Sequence, residues 1–236
     1  VKREWSSANS TGCYHLNREI EQLGLLARFQ QQAHLYLRHL PPYDDLGSWF
    51  ALMQHHGVPT RLLDWTKSPY VGMYFAIEEE PAGTERRSAL WAIDLDWLEK
   101  AEFELFQSEA ATSNSGNANG RVDYLNRLLG YKDKPVVVRI DPLKANERIA
   151  AQQGILLCNL HHEAMFNVIL NRMIFHHELL ELPVLRKIEV ERKHRITFLK
   201  NLREMNIHRA SLFPGLDGFG QSLRLELEIK VKAAPV

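Results

Sequence analysis

The chain has 236 residues, 45% of them hydrophobic and 25% charged, with 29 basic and 29 acidic side chains balancing to a formal charge of zero. That length can bury a full core in one large domain or two small ones, and the neutral balance excludes a global electrostatic case for nucleic-acid or membrane binding while leaving room for a local basic patch. Two cysteines, Cys13 and Cys158, are too few for a disulfide framework and fit a reducing, cytoplasmic setting.

No apolar run approaches a membrane span; the nearest, MFNVILNRMIF at 165–175, is short and carries Asn167, Asn171 and Arg172. The chain starts at Val1 without a methionine and with no visible signal peptide, which leaves room for a further N-terminal piece.

Residues 18–38 read as a helix with Leu25, Leu26, Phe29, Ala33 and Leu37 on one face, ended by Pro41-Pro42. Asp44 or Asp45 can cap a second helix in which Trp49, Leu52 and Met53 share a face, with Gly57 as its C-terminal cap. A third helix starts at Pro69 behind the N-cap Ser68 and carries Val71, Tyr74, Phe75 and Glu78 at helical spacing. Beyond residue 83 the period shortens. SALWAIDL (88–95), VVVRI (136–140), GILLCNL (154–160) and PVLRKIEVE (183–191) read as strands. The polar stretch 108–121 reads as a flexible loop. HEAMFNVILNRMIF reads as a buried helix, and RITFLKNLREMN (195–206) as an amphipathic one with Ile196, Leu199, Leu202 and Met205 inward. The order predicts one α+β domain over 1–236, with a helical part at about 18–80 and a strand-rich part at about 88–230. It shows no glycine-rich nucleotide loop.

Three histidine doublets, 55–56, 161–162 and 176–177, invite a metal reading. Neighbouring residues point in different directions, so each doublet supplies at most one ligand, and no cysteine or histidine stands at metal-ligand spacing. No metal is expected.

The densest stretch is QHHGVPTRLLDWTKSPYVGMYFAIE at 54–78. It resembles the signature of the FRG-domain family. RIAAQQGIL (148–156) is similar to that family's middle block and NIHRASLFPGLDGFGQSLR (206–224) to its closing one. No aromatic-arginine-glycine triplet, the family's namesake, precedes residue 54. More distantly, the layout is similar to ADP-ribosyltransferases of the arginine-serine-glutamate class. That resemblance implies a split β-sandwich with an N-terminal helical part, with NAD as substrate and a toxin or antiviral-defence effector as the setting. It also implies a macromolecular acceptor, nucleic acid or protein, and leaves room for a regulatory partner protein.

The chemistry of NAD cleavage suggests roles for particular residues. The nicotinamide bond breaks through an oxocarbenium-like state, so a site must hold pyrophosphate, orient the ribose and face a developing cation. Arg61 suits phosphate. Gln54, Thr66 and Ser68 can bond the ribose or amide, and Trp65, Tyr70 or Tyr74 can offer a stacking face. Gln152 or Gln153 falls where the resemblance places the catalytic glutamate, with Asp64 as the nearest acid and His55 or His56 as a base. Structural readings stand beside these: an Arg61–Asp64 ion pair, a Ser68 cap, and aromatic core packing. A nucleic-acid-binding or nuclease-like module, prompted by RKIEVERKHR (186–195), and a non-catalytic NAD-sensing domain are the alternatives.

Overall fold

The computed structural model describes residues 18–79, 87–106, 118–131, 133–142, 146–161, 164–178 and 184–233. Its first helix, α1 (Arg18–Ala33), ends well before the Pro41-Pro42 pair. The chain leaves the helix in turns that return to the carbonyls of Gln32 and Ala33. Leu26 and Ala33 face the core as expected, whereas Leu25 is 36% exposed.

α2 (Leu46–His55) starts at Asp45, whose carboxylate accepts from the Ser48 amide at 3.0 Å. It ends in a Schellman motif, with Val58 N–H donating to Met53 O at 2.9 Å and Gly57 N–H to Gln54 O at 3.1 Å. Gly57 sits at φ 77°, a left-handed conformation that a side chain strains. This reversal delivers the chain directly into β1 (Leu62–Thr66). Ser68 then caps α3 (Pro69–Ile77) by accepting from the Val71 amide.

Two antiparallel sheets follow. β1 and β3 (Asp133–Ile140) flank β4 (Gly154–His161), with Asp64 opposite Leu156 and Thr66 opposite Gly154. β2 (Arg87–Ile93) pairs with β5 (Leu185–Glu191) in a separate two-stranded sheet. α4 (Leu95–Leu105), capped by Asp94, leads out of β2, and α5 (Ala118–Gly130) precedes β3. Residues 107–117 of the expected polar loop lie outside the described residues, and 118–121 are the first turn of α5 instead of loop. The helix hides there because its first turn, ANGR, carries no apolar periodicity.

β4 reads as an unbroken apolar run because both its faces are covered. Leu156, Cys158 and Leu160 pack with Leu62, Val136, Val138 and Ile140 against α1, α2 and α5. Ile155 and Leu157 pack with Leu63, Trp65 and Val137 against α4 and α7 (Phe166–Glu178). Burial pushes the Cys158 thiol up to about 11, so it is a protonated core group.

After β5 every described element is helical, which corrects the strand-rich reading that ran to residue 230. A 3-10 turn leads into α8 (Arg195–Glu204), then α9 (Arg209–Leu212) and α10 (Leu216–Ala233). They form a third core with α3, built on Val71, Tyr74, Ile77, Leu199, Leu202 and Leu212. Met205, expected inward, is the C-cap of α8 and is 56% exposed. Arg195, almost buried, bonds the Ile77 and Glu78 carbonyls and pairs with Glu228, tying α10 to the end of α3. Among the described residues no helix is long and apolar enough to cross a membrane.

Candidate functional site

The three stretches 54–78, 148–156 and 206–224 are far apart in sequence and meet in one place. Thr66 at the end of β1 donates its hydroxyl to the Gln152 carbonyl at 2.7 Å, and the Lys67 amide donates to Gln153 O at 3.0 Å. Gln152, which follows the short helix α6 (Glu147–Ala151), sends its side-chain amide to Leu212 O at 3.0 Å. Phe213 then packs edge-on against Phe75 of α3, with ring centroids 5.9 Å apart. Arg209 pairs with Glu78 and lays its guanidinium over Phe213, 3.8 Å from the ring centroid. Arg148 lies over the same ring at 4.6 Å.

A second polar node sits at the turn between α2 and β1. Gln54 accepts from the Thr60 hydroxyl and donates to the Asp64 carboxylate at 3.0 Å. Asp64 is exposed, and strand alternation puts it on the same side of β1 as Thr66, two residues on. His55, half-buried in the last turn of α2, stacks edge-on with the exposed His56 at 4.7 Å. Its Nδ1 is enclosed with no hydrogen-bond partner among the described residues. Burial first, then the neighbouring His56 and Arg148, hold its pKa below the ordinary 6.5, so the imidazole is neutral at pH 7 and able to accept a proton.

Several sequence expectations find other uses. Arg61 turns away from this junction. It donates to the Leu129 carbonyl and, at 3.4 Å, to that of Tyr131, at the negative C-terminal end of α5. The guanidinium expected to bind phosphate is thus committed to a helix end. Tyr74 is 1% exposed in the third core, and its hydroxyl donates to Glu78 at 3.3 Å, so its ring faces are covered by protein. Trp65 is also buried, at 6%, which leaves Tyr70, 55% exposed, as the accessible ring of the three. Thr66 accepts from the Ser68 amide at 3.0 Å as well as bonding Gln152, and Ser68 is the α3 cap, so both hydroxyls are already engaged. Gln153 is exposed in a left-handed turn at φ 49°.

Sequence reasoning misses Arg148, Arg209 and Phe213. They lie inside the middle and closing blocks, but an isolated arginine gives no sign of the ring it covers.

Within the segment 186–195, three of the basic side chains are engaged. Lys187 pairs with Glu189 at 2.8 Å, Lys193 with Glu191 at 2.6 Å, and Arg195 is buried. Among the described residues no group of three or more histidine, cysteine, aspartate or glutamate side chains could hold a metal. His161 uses Nδ1 to accept from the Ala164 amide; its neighbour 162 and the side chains of 176–177 lie outside the described residues.

Residues 3–85 match the FRG domain family. No curated protein and no solved structure matches the chain.

Proposed function

We propose, from the match of residues 3–85 to the FRG domain family, that the chain is an NAD-dependent ADP-ribosyltransferase-like enzyme acting on a macromolecule. The observation that carries this reading is the Gln54–Asp64 bond. It holds an exposed carboxylate on the face of β1 that leads to the junction of the three blocks. A carboxylate so placed can face the cation that develops as the bond between the ribose C1′ and the nicotinamide nitrogen breaks. Nicotinamide leaves with the bonding electron pair. The acceptor's nucleophilic atom forms the new bond to C1′, and its proton passes to a neutral imidazole, for which His55 is the candidate. Asp64 takes the part the resemblance gives to glutamate, because an amide at Gln152 or Gln153 supplies no negative charge.

Nicotinamide release from NAD, measured with and without RNA, DNA and cell lysate, tests this. Release that needs an added macromolecule identifies transfer and the acceptor class. Asp64→Asn, which keeps an acceptor oxygen for Gln54 at an exposed position, is expected to lower release by about a hundredfold with the fold intact. Unchanged release in that variant would remove Asp64 from the mechanism.

A non-catalytic NAD-binding role is the second reading, favoured by Gln153. This uncharged residue stands in an exposed turn where the resemblance places the catalytic acid. Saturable NAD binding without nicotinamide release, with or without acceptors, would select it.

A further inference from the structure

Two guanidinium groups lie over one ring in this junction. Arg148 and Arg209 stand 4.6 and 3.8 Å from the Phe213 centroid, so the two like charges are no more than about 8 Å apart. Charges that close repel unless something anionic stands between or beside them. Arg209 has its own anion in Glu78. Arg148 does not: among the described residues no carboxylate pairs with it, although it is half-buried and beside His55. The enclosed Nε of Arg209 also has no hydrogen-bond partner among the described residues. The junction therefore holds a half-buried arginine with no carboxylate partner among the described residues, a second guanidinium over the same ring and an aromatic platform. Arginine forks match phosphate oxygens in this way, and both guanidiniums are kept in place by cation–π contact with Phe213.

Resting on the nucleotide-directed reading above, we propose that Arg148, assisted by Arg209 over the Phe213 ring, is the phosphate subsite of this protein and takes the pyrophosphate of a dinucleotide. It fills the part that sequence suggested for Arg61, which the fold spends on the end of α5. The middle and closing blocks then act together, the first supplying the fork and the second supplying the ring and the assisting charge.

Calorimetry with ADP-ribose and with inorganic pyrophosphate tests the subsite on the intact chain. Arg148→Ala and Arg148→Lys are the test variants. Arg121→Ala, which removes a charge that pairs with Asp141 elsewhere on the surface, is the control. The wild type is expected to bind ADP-ribose in a salt-sensitive way and pyrophosphate in competition with it. Arg148→Ala should weaken ADP-ribose binding at least about tenfold, Arg148→Lys should restore part of it, and the control should match the wild type. Wild-type protein that binds neither probe, or Arg148→Ala that binds ADP-ribose unchanged, would overturn the subsite. Nicotinamide release separates this from the enzyme reading. Arg148-dependent ADP-ribose binding without release keeps the subsite and sinks the transferase. Release with an unaltered KM for NAD in Arg148→Ala keeps the transferase and sinks the subsite.

Discussion

The Thr66 hydroxyl donates to the Gln152 carbonyl at 2.7 Å and accepts from the Ser68 amide at 3.0 Å. One side chain thus joins the end of β1, the start of α3 and the turn before β4. Thr66→Val keeps the shape and removes both bonds, leaving the carbonyl of the buried Gln152 without that donor. It is expected to lower unfolding stability by about 1–2 kcal/mol in urea titration. Loss of NAD binding with no change in the urea midpoint would instead mark the hydroxyl as a ligand contact.

Arg61 makes a structural contribution. With its guanidinium on the carbonyls of Leu129 and Tyr131, Arg61→Ala is expected to cost roughly 2 kcal/mol of stability, the scale of a charged hydrogen bond at a helix end. Because α5 packs against α2, fraying at Leu129 should also reach the Gln54–Asp64 node indirectly. Chemical denaturation together with ADP-ribose titration distinguishes the two roles. A lower midpoint with binding retained at low temperature supports the helix-end role, and an unchanged midpoint with binding lost refutes it.

Much of this architecture was legible because local signals and burial agreed. Ser68-Pro69 opened α3, Gly57 closed α2, and β4 announced itself as an apolar run covered on both faces. The mixed helix-and-sheet class followed from the same signals. The failures have physical causes. α1 stops at Ala33 although Leu37 continues the apolar period, because the chain turns before any proline requires it. α9 was missed because four residues are too few to show a helical period, and α10 because the stretch from Phe213 to Gly220 has the glycine and proline content of a loop, while the apolar face of α10 begins further on with Leu225 and Ile229. At the site, Gln54 and Asp64, both singled out in the sequence, are joined by a hydrogen bond across the turn between α2 and β1. Sequence could not find that Arg61 reaches across 68 residues to Leu129, or that Arg148 and Arg209 share Phe213. Those are long-range partnerships with no local spacing rule.

Acid should destabilise the protein through its histidines. Burial holds the pKa of His55 and of His208 below 6.5, with His56 and Arg148 adding to the first and Arg203 to the second. The unfolded chain therefore binds these protons more readily than the folded one. Their contribution is fully present above 6.5 and is lost as pH falls through 6.5 toward the lowered folded values. Glu102 works in the opposite sense at lower pH. Burial raises its pKa above 4.5 despite hydrogen bonds from Tyr124 and the Arg139 amide, so the folded state gains as pH falls through the raised value. Thermal midpoints are expected to drop between about pH 7 and pH 5.5, and less so in His55→Gln, which removes one of these groups. An identical drop in that variant would show that His55 is not among the groups responsible.

Gly218 tests whether the closing block must hold its shape for the site to work. A Cβ on this residue, in the first turn of α10, would stand 1.9 Å from the Phe213 carbonyl oxygen and 2.9 Å from its carbonyl carbon and Cβ. These are chiefly backbone atoms, so no side chain can swing away, and either α10 or Phe213 must move. Gly218→Ala is therefore expected to destabilise the protein by about 3 kcal/mol, at the upper end of overpacking effects. The displacement falls on the ring that carries Arg148 and Arg209, so ADP-ribose binding should weaken in the same variant even where it remains folded. Gly220, a second glycine on α10 with nothing near its would-be Cβ, provides the contrast. Gly220→Ala should stabilise the helix by up to about 1 kcal/mol and leave binding unchanged. Equal behaviour of the two variants in thermal unfolding would mean that the contact between α10 and Phe213 does not constrain the junction.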